Sequence, residues 1–324
     1  MYRKMTLLAG AAMLAFGGMA AAQTKWDLPT AYPATNFHVE NLKFFVGEVD
    51  KLSGGKLKIT IHENASLYKA PEIKRAVQGN QAQAGEILLA NFANEAPVYA
   101  VDGLPFLATG FEDSMKLYQA QKPFLEKKLA SQGMMVLYTV PWPPQGIFAN
   151  RVLNTVADMK GLKWRAYSPY TARIAELVGA QGVTVQQAEL SQAMATGVIE
   201  SYIASGSTGL DTKTYEYIKK FYDTQAWLPK NAVIVNKSAF DALDAATQEA
   251  VKKAAAAAEK RGWEQCVIKT AEYLKRLGEN SCEVVKPTPE LMKGLAEVGD
   301  KMLAEWLEKA GEEGKAIVDA YKKK

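Results

Sequence analysis

Arg165 has the clearest chemical potential in the chain. It lies in the run Lys163-Trp164-Arg165-Ala166-Tyr167, whose apolar–polar alternation predicts a strand. Alternation places Leu162, Trp164 and Ala166 on one face and Lys163, Arg165 and Tyr167 on the other. Arg165 falls near the carboxyl end of that strand, where open α/β sheets bind ligands. A guanidinium fork matches a carboxylate bidentately. Taken alone, a strand arginine is more often a surface residue. A second candidate is Ser205 to Thr208, after another predicted strand and before a helix expected over 211–220. Its hydroxyls and backbone N–H groups suit an anion or polar oxygen; a plain polar turn is the alternative. Aromatic residues gather near strand ends, where pockets form: Tyr32, Tyr68, Phe92, Trp142, Tyr167, Tyr170 and Trp227.

Catalytic patterns are missing. The chain has no Walker loop, no GxGxxG, no HExxH and no EF-hand series. Gly206-Ser207-Thr208-Gly209 lacks the GxSxG spacing of a nucleophile elbow. Only His38 and His62 could act as histidine bases, and two histidines with two cysteines are too few for a Cys/His zinc cluster. No cofactor and no metal are expected.

The elements that must hold these residues alternate in type. Leu42, Phe45, Val49 and Leu52 recur at helical spacing and stop at Gly54-Gly55; Leu57, Ile59 and Ile61 then alternate as a strand. His62, on the polar face of that strand, reads as solvated rather than as a ligand. Pro71 opens a helix that ends at Gly79. Apolar strands are expected at 87–90, 134–140, 163–167, 183–185 and 198–204, with helices near 114–132, 172–179 and 188–196 between them. This order predicts an α/β protein with parallel sheets. Residues 245–277 read as one long helix capped by Asp244, with a break at Gly262 as the alternative. At about 1.5 Å per residue it approaches 50 Å, long enough to brace two lobes. Thr288-Pro289 caps a last helical region that Gly311 and Gly314 should interrupt.

Bulk properties narrow the class. The 324 residues predict two domains, and 48% hydrophobic with 23% charged residues describes a globular chain. Thirty-nine basic and 35 acidic residues give a net charge of +4, too small and scattered for nucleic-acid binding. Residues 1–22 read as a secretory signal: Arg3 and Lys4, a short glycine-interrupted apolar run, then Ala20-Ala21-Ala22. The expected location is therefore the periplasm. Export would place Cys266 and Cys282 in an oxidising compartment, where a helix ending near Gly278 and a returning strand make a Cys266–Cys282 bridge geometrically feasible. Two buried free thiols are the alternative; the bridge is the expectation.

One family draws these features together. Ala157-Asp158-Met159-Lys160-Gly161-Leu162-Lys163-Trp164-Arg165 resembles the DMKGLKxR signature of DctP-type solute-binding proteins, which serve tripartite ATP-independent periplasmic (TRAP) transporters. Gly103-Leu104-Pro105-Phe106-Leu107, the run 188–194, and Leu228-Pro229-Lys230-Asn231 with Val233 to Asn236 resemble further family segments in the same order. The resemblance implies a periplasmic-binding-protein type II-like α/β fold, with two lobes joined by hinge strands, a ligand cleft between them, and a long helix bracing both. It implies lobe I from 23–143 plus about 231–260, and lobe II with the C-terminal helices from 144–230 plus about 261–324. It implies that Arg165 binds the ligand carboxylate. Gln145 aligns where sialic-acid-binding relatives have a second arginine, and Ala204-Ser205 where many relatives have an asparagine; both departures argue against a sugar acid. An aromatic or 2-oxo/2-hydroxy monocarboxylate is expected instead. Gln145, Ser205 and Thr208 would complete the oxygen contacts, with Trp142, Tyr167, Tyr170 and Trp227 as apolar walls. The expected partners are a small carboxylate and membrane TRAP permease subunits, with the protein itself a monomer. A periplasmic enzyme acting on a carboxylic acid, or a ligand-presenting accessory of a sensor, are the competing readings.

Overall fold

The computed structural model describes residues 23–323; the signal segment expected at 1–22 lies outside them. The chain runs β1 (Thr24–Pro29), α1 (Phe37–Leu52), β2 (Leu57–His62), α2 (Ala70–Gln78), β3 (Ala84–Leu88), α3 (Phe111–Ser131), β4 (Met134–Pro141) and β5 (Gly146–Ala149). It continues with β6 (Lys163–Ala166), α4 (Pro169–Val178), β7 (Gln181–Thr184), α5 (Leu190–Ala195), β8 (Ser201–Ala204), α6 (Gly206–Asp211) and β9 (Lys220–Tyr222). Last come β10 (Lys230–Asn236), α7 (Lys237–Asp241), α8 (Ala245–Glu279), β11 (Glu283–Val285) and α9 (Pro289–Lys322).

Two α/β lobes result. One holds the parallel pair β1–β2 and a sheet of order β3-β10-β4; the other holds a sheet of order β11-β9-β5-β8-β6-β7. The three-stranded sheet is antiparallel and the six-stranded one mixed, which corrects the all-parallel expectation. β10 runs antiparallel to both its neighbours, and β5 antiparallel to β8 and β9. The cause is connectivity. Segments 142–145 and 226–230 cross between the lobes side by side, with Trp142 N–H donating to Pro229 O at 2.8 Å and Gln145 N–H to Trp227 O at 2.9 Å. A chain that crosses and later returns beside itself enters each sheet against its neighbour, and a buried apolar run carries no mark of that direction.

The long helix α8 is unbroken. Asp244 caps it by accepting from Thr247 N–H at 2.9 Å. Gly262 is there for close approach rather than for a break: a Cβ at that position would come within 2.4 Å of Val140 Cγ2. α8 packs on α1 and β4 of one lobe and on α6 and β11 of the other. In α9, Gly311 does interrupt the helix, at φ 56° and ψ −138°, whereas Gly314 stays buried within it. The largest apolar core runs through both lobes, from Ile73 and Ile87 to Trp164 and Ile203, and takes in Leu295 and Trp306 of α9.

Two further expectations change. The helix expected over 211–220 instead occupies Gly206–Asp211, because the Ser205 hydroxyl accepts from Thr208 N–H and nucleates it earlier. The Cys266–Cys282 bridge is absent; both thiols are free and buried. Cys282 N–H bonds Leu277 O at 3.0 Å, so Cys282 sits beside the top turn of α8. Eleven residues of continuous helix separate Leu277 from Cys266, about 16 Å along the axis. A disulfide needs Cα atoms within about 7 Å. The sulfurs serve two different apolar cores, one in each lobe. His62, expected to be solvated, is half-buried, with Nε2 2.7 Å from Asp27 Oδ1 on the paired strand.

Candidate functional site

Arg165 is fixed by its strand and by the segment after the next one. β6 lies between β7 and β8, which buries Trp164 on the core side, its Nε1–H donating to Thr171 O at 3.1 Å. Arg165 emerges on the other face. It is 3% exposed, its Nε–H donates to Val185 O at 2.9 Å, and its guanidinium carbon lies 5.2 and 5.7 Å from the ring centres of Tyr167 and Tyr202. No carboxylate among the described residues lies within ion-pair distance of it. Burial pushes its pKa down, yet a guanidinium starts so high that it keeps its charge. A buried cation with no internal counter-charge is costly, and it makes the surrounding cavity selective for an anion.

That cavity takes residues from both lobes. On the first lobe's side, the Tyr32 hydroxyl donates to Asn231 Oδ1 at 3.3 Å and Trp142 Nε1–H donates to the same oxygen at 2.9 Å. One buried amide of β10 thus orients two aromatic walls, whose rings meet edge-on at 4.9 Å. On the other side, the Tyr167 hydroxyl donates to Gln145 Oε1 at 3.3 Å, and Gln145 Nε2–H donates to Pro143 O at 3.0 Å. Gln145 lines the cavity, but its side chain is engaged in holding Tyr167 and the crossing segment. Thr208 lines the cavity from the first turn of α6, with Ser205 as its cap. Across the lobes, Asn36 Nδ2–H donates to Asp211 Oδ2 at 2.6 Å.

Of the residues expected from sequence, the cavity gathers Arg165, Gln145, Tyr167, Trp142, Tyr32 and Thr208. Five others do not line it: Ser205 stands behind Thr208 as its cap, and four lie elsewhere. Tyr170 lines a separate cleft with Arg173 and Trp306, and Trp227 borders a small apolar void beside Trp164. Phe92 is in the core under Lys74, and Tyr68 packs on that core from outside. Sequence reasoning missed Asn91, Gln186 and Gln187. They lie in or beside short 3₁₀ turns after β3 and β7, where no periodic pattern flags them. Among the described residues, no cluster of His, Cys, Asp and Glu could hold a metal ion.

Behind the Tyr32–Trp142 wall lies a buried acid. Glu86 accepts from the Thr30 hydroxyl at 2.6 Å and lies 3.5 Å from His38 Nδ1. Burial pushes its carboxyl up to about 7, with Thr30 pulling the other way, while burial holds His38 well below its usual value and so uncharged. The folded state then holds the Glu86 proton where the unfolded chain has released it, so stability falls as pH rises from about 4.5 to about 7. The loss contributed by this group approaches about 3 kcal/mol. Glu86→Gln should remove it, raising stability at pH 8 and changing little at pH 4. Urea midpoints for both proteins across this range check the prediction; equal pH slopes would refute it.

A two-lobed α/β frame around a cavity with one buried, unpaired guanidinium describes a binding protein for a small anion. The family model for bacterial extracellular solute-binding protein, family 7 (DctP), matches residues 30–310, and the chain belongs to that family. It is a family of receptors rather than enzymes. The chain is 74% identical to DctP6, a Bordetella pertussis extracytoplasmic solute receptor binding pyroglutamic acid, with a TM-score of 0.92 over 93% of this chain and 100% of that one. A marine-metagenome TRAP solute-binding protein specific for pyroglutamate is 44% identical, with a TM-score of 0.92 over 93% of this chain and 99% of that one. The C4-dicarboxylate-binding periplasmic protein DctP of Rhodobacter capsulatus is 28% identical over 214 residues, a match spanning 64% of this chain and 63% of the relative. Among the described residues, no helix is long and apolar enough to cross a membrane.

Proposed function

We propose that this protein captures pyroglutamate, a five-membered lactam bearing one carboxylate, between its lobes and delivers it to a TRAP permease for ion-gradient-driven uptake. The observation that carries this reading is the lone guanidinium of Arg165 inside a small cavity, in a chain 74% identical to a receptor binding that acid. Arg165 takes the carboxylate, and Tyr32, Trp142 and Tyr167 enclose the ring. Closure excludes water and strengthens the ion pair. Ser205 acts only through Thr208. A compact cyclic acid is preferred to the aromatic or 2-oxo/2-hydroxy acids expected from sequence because the relatives at 74% and 44% identity are receptors for pyroglutamate. The exported, periplasmic location and the removal of 1–22 belong to the same proposal. So do the lobe limits, 23–143 with about 231–260 and 144–230 with about 261–324, supported by the paired crossings at 142–145 and 226–230. The far half of α9 also reaches the first lobe, where the Tyr321 hydroxyl donates to Leu107 O at 2.9 Å.

The test is calorimetric titration and thermal shift with pyroglutamate, proline and succinate. Pyroglutamate at about 100 times its Kd should add roughly 2.7 kcal/mol to stability. That raises the unfolding midpoint by a few degrees for a chain of this size. Proline, whose ring nitrogen is cationic, and succinate, with a second carboxylate, should bind far more weakly. No heat and no shift with pyroglutamate, at protein shown to be folded, would overturn the assignment.

A further inference from the structure

Two residues of the cavity wall each carry a polar atom that is shielded from solvent and has no hydrogen-bond partner: Asn91 with its Oδ1 and Gln187 with its Nε2. They come from opposite lobes. Asn91 sits in the 3₁₀ turn Leu89–Phe92 that directly extends β3. Gln187 opens the 3₁₀ turn Gln187–Glu189, two residues after Val185, whose carbonyl holds the Arg165 guanidinium. One short segment therefore fixes both the cation and a neutral amide.

We propose that Asn91 and Gln187 form a pair that reads the lactam amide of the ligand, Asn91 Oδ1 accepting from the ring N–H and Gln187 Nε2–H donating to the ring carbonyl. The proposal rests on the pyroglutamate reading and deepens it. Leaving a buried donor or acceptor unmade costs about 1–3 kcal/mol, so each atom rewards a ligand that satisfies it. Residues of the wall thus carry one unmade neutral acceptor and one unmade neutral donor. A second carboxylate offers acceptors only and would meet Asn91 Oδ1 acceptor to acceptor. An ammonium offers donors only and would leave Gln187 Nε2 unmade. A secondary amide offers one of each, side by side, and carries no charge to desolvate. Sites that hydrogen-bond a ligand group reject analogues lacking it more strongly than apolar pockets reject a missing methylene. Because the two readers belong to different lobes, the amide also ties the lobes together. Ligand recognition and closure then draw on the same two bonds.

The experiment is a titration of wild type, Asn91→Ala and Gln187→Ala with three ligands: pyroglutamate, N-methylpyroglutamate, which lacks the N–H, and cyclopentanecarboxylate, which keeps ring and carboxylate but has no amide. Wild type should favour pyroglutamate over cyclopentanecarboxylate by roughly 100-fold or more, the product of two lost bonds. Each alanine variant should weaken pyroglutamate binding by roughly 5- to 150-fold while changing cyclopentanecarboxylate affinity less than about threefold. Asn91→Ala should also lose its discrimination against N-methylpyroglutamate, and Gln187→Ala should keep it. Cyclopentanecarboxylate binding reports that each variant is folded and keeps its carboxylate site. Wild-type ratios retained in both variants, or equal losses for pyroglutamate and cyclopentanecarboxylate, would overturn the pair while leaving pyroglutamate as the ligand. A wild type that binds no pyroglutamate would overturn the ligand assignment, and this pair with it.

Discussion

Arg165→Ala should weaken pyroglutamate binding by roughly 2–5 kcal/mol, about 30-fold to several thousand-fold, because the ligand carboxylate would be buried without its partner. The effect should be large because nothing else in the cavity can substitute. Among the described residues its wall holds no second cation, and the remaining polar groups there are neutral amides, hydroxyls and an indole N–H. Arg165→Lys should recover only part of the loss. An ammonium on a flexible stem cannot donate to Val185 O and present a planar fork to a carboxylate at the same time. The apo protein gives the complementary signature. Removing a buried cation that has no counter-charge relieves desolvation, so Arg165→Ala should leave the unfolding midpoint of the unliganded protein unchanged or higher. Binding isotherms and calorimetric melts of the same preparations check both halves. A variant with wild-type affinity, or one that binds poorly only because the apo protein has lost stability, would remove Arg165 from its assigned role.

Asp102→Ala should be the most destabilising single change near the hinge, costing about 3–5 kcal/mol. Asp102 and Lys230 are both buried, with Lys230 Nζ 3.8 Å from Asp102 Oδ2 and the Lys230 backbone N–H donating to the same oxygen at 2.8 Å. The pair lies where the chain re-enters β10, directly after Pro229 of the cavity wall. Burial pushes the Asp102 carboxyl up to about 6 and the Lys230 ammonium down, against their mutual attraction. Desolvation therefore outweighs attraction, and the ion pair itself adds little net stability. Removing one partner strands the other charge, which is the source of the cost. The double variant Asp102→Asn with Lys230→Met should recover most of it, since asparagine still accepts from the backbone N–H and methionine fills the space. Urea denaturation of the two variants checks this. A double variant as unstable as the single one would mean that the pair contributes attraction the desolvation argument denies.

Most of what was legible in the sequence depends on neighbours close along the chain. The strand at 163–167, the two faces that separate Trp164 from Arg165, the Asp244 cap and the long helix behind it all follow from periodicity and capping, which act within a turn or a pleat. The site was legible to the extent that its residues sit on such elements. Arg165 and Tyr167 leave a strand end, and Thr208 follows one. Gln145 is instructive, because its position at the cavity was readable by alignment but its task was not. The partners that occupy its side chain, Tyr167 and Pro143, are set by the crossing segments.

By itself, then, the sequence determined the α/β class, the family, the brace and a single cation at a strand end. Tertiary structure alone decided the strand directions, the separation of Cys266 from Cys282, and which aromatic residues face the cavity. It also brought Asn91 and Gln187 into one wall. The physical reason is range. A helix or strand is specified by side chains a few positions apart, whereas a cavity wall is specified by contacts such as Tyr32 with Asn231, 199 residues apart, whose approach depends on how every intervening element packs.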